Sequence, residues 1–158
     1  MLFRSARGSG EQLCPLAALA KCEDACLYTA GKGALSNTHY ARLRKTLFFN
    51  QYRQQALAMI RREIEEAYVK SIREGWTLLV RLNGTSDIRF ELTGIPQAFP
   101  HVQFYDYTKL HNRAGVPANY DLTYSYSGAS PKYMSYLPDR KSTRLNSSHM
   151  SESRMPSS

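Results

Sequence analysis

Cys14, Cys22 and Cys26 stand in the spacing C-x7-C-x3-C, and thiols so close in sequence can hold a metal or a cluster. Cys22 and Cys26 are one turn apart, so on a helix they share a face. Cys14 would lie about 12 Å farther along the axis of a continuous helix. All three can therefore meet around an iron–sulfur cluster or a zinc ion only if the chain between them loops. A cluster on three thiolates leaves one iron open to a substrate or to S-adenosylmethionine. Zinc wants a fourth ligand, and His39 is the nearest candidate. Two plainer readings stand beside these. Free cysteine often packs as a small apolar residue, and Cys14 before Pro15 could cap a helix with a lowered pKa.

A second set of reactive groups follows three apolar runs. Asn83, Thr85, Ser86, Asp87 and Arg89 follow "WTLLVRL"; Asp106, Thr108 and Lys109 fall in "YDYTK"; Ser125 and Ser127 fall in "SYSG". In parallel α/β sheets, ligands sit where loops leave the carboxyl ends of the strands, so parallel strands would gather these groups at one site. Asp87 and Asp106 are then candidate general bases, with Lys109 completing the catalytic set. Arg89 and Lys109 would hold an anionic group, and Asn83, Ser86 and Ser125 are the other substrate-binding candidates. Against this, loops are polar in any protein, and "NGTSD" is good turn chemistry.

The elements that must position these groups change character along the chain. "CPLAALAKCEDACLYTAGKG" predicts a helix, with Pro15 in its first turn and Gly31 and Gly33 at its end. Ser36 or Asn37 fits the cap of a helix through "THYARLRKTLFFNQYRQQ". Ala56, Leu57, Met59, Ile60, Ile64, Ala67, Tyr68 and Ile72 then recur at helical spacing until Gly75. Glu63, Glu65 and Glu66 alternate with Arg61, Arg62 and Lys70 on the other faces. Three short strands follow, at Trp76 to Leu82, His101 to Tyr107 and Asp121 to Tyr126. The first is a nearly continuous apolar run, as in a strand covered on both faces. The expected fold is α/β: N-terminal helices packed on a small, mostly parallel sheet, an incomplete β/α barrel-like domain. The short joins leave antiparallel pairing of the later strands open.

Residues 1–12 read as a loose N-terminus, 13–138 as one α/β domain, and 139–158 as a separate tail. The tail, DRKSTRLNSSHMSESRMPSS, has no helical or strand period. It resembles a translated sequencing adapter with the primer region that follows it; the alternative is a natural Ser-rich terminus. On the adapter reading the domain is truncated at its C-terminal side, and an open sheet edge with exposed apolar surface is expected. Setting the tail aside removes Arg140, Lys141, Arg144, Arg154, Asp139 and Glu152, and the formal charge of +8 becomes +6. That balance suits an anionic ligand or nucleic acid, and it equally describes a solvated basic surface. "HYARLRK" sets His39, Arg42 and Lys45 at near-helical offsets, a stripe for phosphates or for solvent. No apolar run reaches a membrane span. Three clustered cysteines do not read as a secreted disulfide framework, so a reducing, cytoplasmic setting is expected.

At "CPLAALAKCEDACLYTAGKG", "RLNGTSDI", "FYDYTKL" and "PANYDLTYSYS" the chain resembles a family of phage and prophage proteins, the gene-product-eighty-eight-like proteins, over about Leu13 to Tyr136. The resemblance implies a family and no particular reaction. More distantly, early cysteines followed by polar strand ends are similar to partial barrels of the radical S-adenosylmethionine type, which implies a cluster. Those enzymes carry C-x3-C-x2-C, and this chain departs from that spacing. Two functions from different classes are expected: an iron–sulfur or metal-binding barrel-like enzyme, and a non-catalytic nucleic-acid-binding protein. An interaction protein whose cysteines only pack is the third.

Overall fold

The computed structural model describes residues 13–21 and 35–125. Two helices come first, α1 (Ser36–Gln51) and α2 (Arg53–Glu74). The chain breaks between them at Tyr52, whose backbone leaves the helical region (φ −126°, ψ 56°) while its N–H still donates to the Phe48 carbonyl at 2.7 Å. Two successive helices were expected here, and the join falls at Tyr52 instead of after Gln55. α1 starts without a side-chain cap: Leu35 stands at the N-cap, and Asn37 Oδ1 instead accepts from the next amide, Thr38 N, at 3.0 Å.

α2 ends as its composition requires. Gly75 takes a left-handed φ of 72°, and Trp76 N donates back to the Ser71 carbonyl at 3.0 Å. Together these satisfy the last helical carbonyls in a Schellman-type closure. Ala56, Leu57, Ile60 and Ile64 are buried on the inner face, whereas Met59 and Ile72 from the same apolar series face outward. Ser71 is buried in their stead, its hydroxyl bonded to the Tyr68 carbonyl at 2.7 Å. A helix needs only an apolar stripe, and positions beyond its edge stay in solvent.

Three parallel strands follow, β1 (Leu79–Arg81), β2 (Gln103–Thr108) and β3 (Tyr120–Tyr124), in the spatial order β1-β2-β3. Val80 lies opposite Phe104, and Phe104 opposite Tyr120. The chain passes from β1 to β2 through a 3-10 turn (Phe90–Leu92) and a short helix α3 (Ile95–Ala98). It passes from β2 to β3 with no helix at all. The later pairing is thus parallel, and the missing crossover helix is replaced by side-chain bonds. Asn119 Nδ2 lies 2.9–3.0 Å from the carbonyls of Pro96, Phe99 and Val102, while its own carbonyl accepts from Phe104 N at 2.8 Å.

Phe49, Ile60 and Ile64 from the helices, Phe90, Ile95 and Phe99 from the first connection, and Phe104, Tyr120 and Leu122 from the sheet share one core. Among the described residues, nothing covers the other face of the sheet. Leu79 is 59% exposed and Tyr107 49%, and the Arg81 guanidinium lies over the Tyr107 ring at 5.0 Å. Among the described residues β1 is therefore covered on one face, where its apolar run had suggested two.

The described part of the first expected helix, residues 13–21, is a series of turns. Ala17 N donates to the Cys14 carbonyl, Ala20 N to that of Leu16 and Lys21 N to that of Ala18. This mixture of three- and four-residue closures ends at Lys21 with a left-handed φ of 49°, which a continuing α-helix does not accommodate. Among the described residues, no helix is long and apolar enough to cross a membrane.

Candidate functional site

Two carboxylates organise the carboxyl edge of the sheet. Asp106, on the central strand β2, is buried and points to the helix side. Its oxygens accept from Asn83 N at 2.9 and 3.0 Å, from Asn83 Nδ2 at 3.1 Å and from the Tyr120 hydroxyl at 2.8 Å. Arg81 Nε stands 3.7 Å away. Burial pushes the Asp106 carboxyl up to about 7, against the pull of Tyr120, Asn83 and Arg81. Burial of this kind favours the neutral carboxyl over the carboxylate. Burial, and then the Asp106 charge, raise the Tyr120 phenol far above its usual range, so it stays a hydrogen-bond donor.

Asn83 is the hub of the first strand end. Besides its bonds to Asp106, its Oδ1 accepts from Ser86 Oγ at 2.8 Å and Ile88 N at 2.9 Å, and its Nδ2 donates to the Ile88 carbonyl at 3.0 Å. One amide side chain thereby folds the "NGTSDI" loop back onto β2. The turn chemistry in that stretch is real, and its anchor lies in another strand.

The second carboxylate, Asp87, joins three segments. Its Oδ2 accepts from Lys109 N at 2.8 Å and its Oδ1 from Arg113 Nη1 at 3.1 Å. Its own amide donates to the Leu13 carbonyl at 2.7 Å, which ties the Cys14 segment to the strand ends. Arg113 also clasps Glu91, with Nε 2.9 Å from Oε1 and Nη2 in close contact with Oε2. The Arg113 side chain has no exposed surface, and those of Asp87 and Glu91 keep 3% and 1%. Burial raises the Asp87 carboxyl, and the Lys109 amide and the Arg113 charge offset this only in part. For Arg113 burial acts downward, but the Glu91 hydrogen bond and nearby carboxylate charge leave the guanidinium raised and firmly protonated.

Outside this buried layer lies a half-buried one. Lys109 Nζ donates to the Ser125 carbonyl at 2.8 Å and to Ser125 Oγ at 3.0 Å, bridging the ends of β2 and β3. Arg89 Nη2 donates to Asn112 Oδ1 at 3.0 Å. The fold thus brings Asn83, Ser86, Asp87, Asp106, Lys109 and Ser125 into one connected rim, and Arg89 to the neighbouring loop. Asn83, Ser86, Asp87 and Asp106 are buried and build the rim; Lys109, Arg89 and Ser125 are the groups a ligand can reach. Cys14 is half-buried beside it, and Cys22 and Cys26 lie outside the described residues.

Sequence reasoning missed Arg113, Glu91, Tyr120 and Asn119. Arg113 and Asn119 sit in "NRAGVPANY", which reads as a plain loop. One signal was present: two acids, Asp87 and Glu91, stand four apart beside the apolar Ile88 and Phe90 and need a cation if buried. Which cation serves them is invisible without the fold.

The family model described as Gene product 88 matches residues 1–156, and the chain belongs to that family. No curated protein and no solved structure matches it.

Proposed function

We propose that this Gene product 88 family member is a phage enzyme working at the carboxyl rim of its parallel sheet. It binds an anionic substrate through Lys109 and Arg89 and uses an iron–sulfur cluster or zinc held by Cys14, Cys22 and Cys26. The observation that carries this reading is the 2.7 Å bond from Asp87 N to the Leu13 carbonyl, which sets a cysteine-bearing segment against the polar strand ends. Among the described residues, no three His, Cys, Asp or Glu side chains are grouped to hold a metal. The ligand set therefore depends on Cys22 and Cys26. A cluster there supplies an open iron, and zinc supplies a Lewis acid. The chain's own part is to hold the anion and to keep Asp87 and Asp106 fixed behind it. Anaerobic reconstitution with iron and sulfide should give visible charge-transfer absorption that Cys14→Ala abolishes. A protein that retains neither iron–sulfide nor zinc would remove this reading.

A second reading, a non-catalytic nucleic-acid-binding protein, is favoured by α1. That helix carries Arg42, Arg44 and Lys45 and no acidic residue, with Tyr40, Arg44 and Lys45 exposed. Its affinity for DNA or RNA should fall steeply with salt; an affinity insensitive to salt rules it out.

A further inference from the structure

A groove of about 300 Å³ lies away from the rim, between the first turns of α2 and the turn after the 3-10 segment, lined by Arg53, Gln54, Leu57, Ala58, Arg61, Leu92 and Thr93. It shares no residue with the site described above. Arg53, Leu57 and Arg61 follow one another at four-residue steps, which stacks them along one face of α2, with the two guanidinium-bearing positions about 12 Å apart along the axis. The Arg53 guanidinium lies over the Phe49 ring at 4.9 Å. Arg61 Nη2 reaches the Thr93 carbonyl at 3.4 Å and passes close to Gly94, where a Cβ would stand 3.6 Å from it. Each guanidinium offers five N–H donors, and these contacts occupy few of them. No acid lines the groove, and among the described residues neither arginine forms an ion pair with a carboxylate. Between the two charges the lining is mixed: Leu57 and Ala58 stand beside Gln54 on the helix, and Leu92, 71% exposed, stands beside Thr93 on the turn. An exposed leucine facing two arginines without acid partners is not the mixed charge pattern of a solvated helix face.

We infer that this groove binds a small amphiphilic organic anion, its apolar body against Leu57, Ala58 and Leu92 and its phosphate or carboxylate head on Arg53 or Arg61. The volume lies at the lower end of small-molecule sites, roughly 300–1,000 Å³. Charge complementarity selects the class, because a planar guanidinium fork matches either oxyanion.

Phenyl phosphate and phenylacetate, titrated separately into the full chain and followed by backbone and Leu92 methyl NMR shifts, test the inference. At least one should bind saturably and move signals of Leu57, Leu92 and Thr93. R53Q and R61Q should together weaken that binding by about tenfold or more, the worth of a charge-assisted hydrogen bond, and leave the helical circular dichroism unchanged. Ala58→Glu, which puts a like charge into the groove, should abolish it. The inference is overturned if neither probe saturates, if benzyl alcohol or inorganic phosphate binds as well as the probes, or if A58E binds like the parent. None of these outcomes depends on metal or cluster content, so the rim reading and this one fail separately.

Discussion

Arg113 and Arg62 each pair with carboxylates, in surroundings of opposite character. Arg62 meets Glu66 one turn along α2 at 2.8 Å, with both side chains mostly in water. Arg113 meets Asp87 at 3.1 Å and clasps Glu91, with all three side chains out of water. The outer face of α2 is a row of such exposed pairs, Lys70–Glu74 and Arg73–Glu74 among them. At the rim of the sheet, the same residue types lock loops from four parts of the chain together. Water screens the first kind of pair and makes it nearly neutral for stability. Excluding water makes the second kind strong and intolerant of losing one member. Net charge is therefore a poor guide to where the electrostatic energy of this protein lies.

The comparison breaks most visibly at Arg113. Arg113→Met leaves two buried carboxylates without their cation and should lower stability by about 3–5 kcal/mol, measured by urea unfolding. Replacing the whole group, Arg113→Met with Asp87→Asn and Glu91→Gln, should recover much of that loss. If the triple variant is no better than the single one, the damage lies in packing and not in stranded charge. Asn83→Ala comes next. It removes the acceptor for Ser86 Oγ and Ile88 N, which stay buried, and should cost about 2–3 kcal/mol; a neutral outcome would mean the loop relaxes into solvent.

A pH series sharpens the same contrast. The folded Asp106 carboxyl is raised to about 7, above an unfolded value of about 4. Between these values the native state holds a proton that the unfolded chain has released, so stability should fall as pH rises from about 4 to 7. Asp106→Asn should flatten most of that slope, and Asp87, also raised, should account for what remains. A parent protein whose stability rises across this window would contradict the burial-driven shift. Smallest of all is Glu66→Ala on the outer face of α2, expected to leave the thermal midpoint within measurement error.

Much of this architecture is legible in the chain. Helical spacing from Ala56 to Ile64, the stop at Gly75 and the three apolar runs each follow from local chemistry, and each falls where the elements are. The polar strand ends were legible as a cluster, since Asn83, Ser86, Asp87, Asp106, Lys109 and Ser125 follow three successive runs. Three features were not. The exact place where the two helices part, Tyr52, has no Gly or Pro to announce it. The turns at 13–21 arise in a stretch whose composition favours a helix. The role of Arg113 depends on the path of a loop that brings it back to residues more than twenty positions earlier.

The division has one physical cause. Periodicity, capping and turn preferences act between residues a few positions apart, so the chain alone determined the long helix that ends at Gly75, the three extended runs, and that reactive groups follow each of them. Whether those groups face water or one another is set by parallel pairing and by the packing of α2 on the sheet. Only the tertiary structure decided that Asp87, Asp106 and Glu91 are buried and held by Asn83, Tyr120 and Arg113, because the energy of a charge depends on solvent access, which distant parts of the chain control.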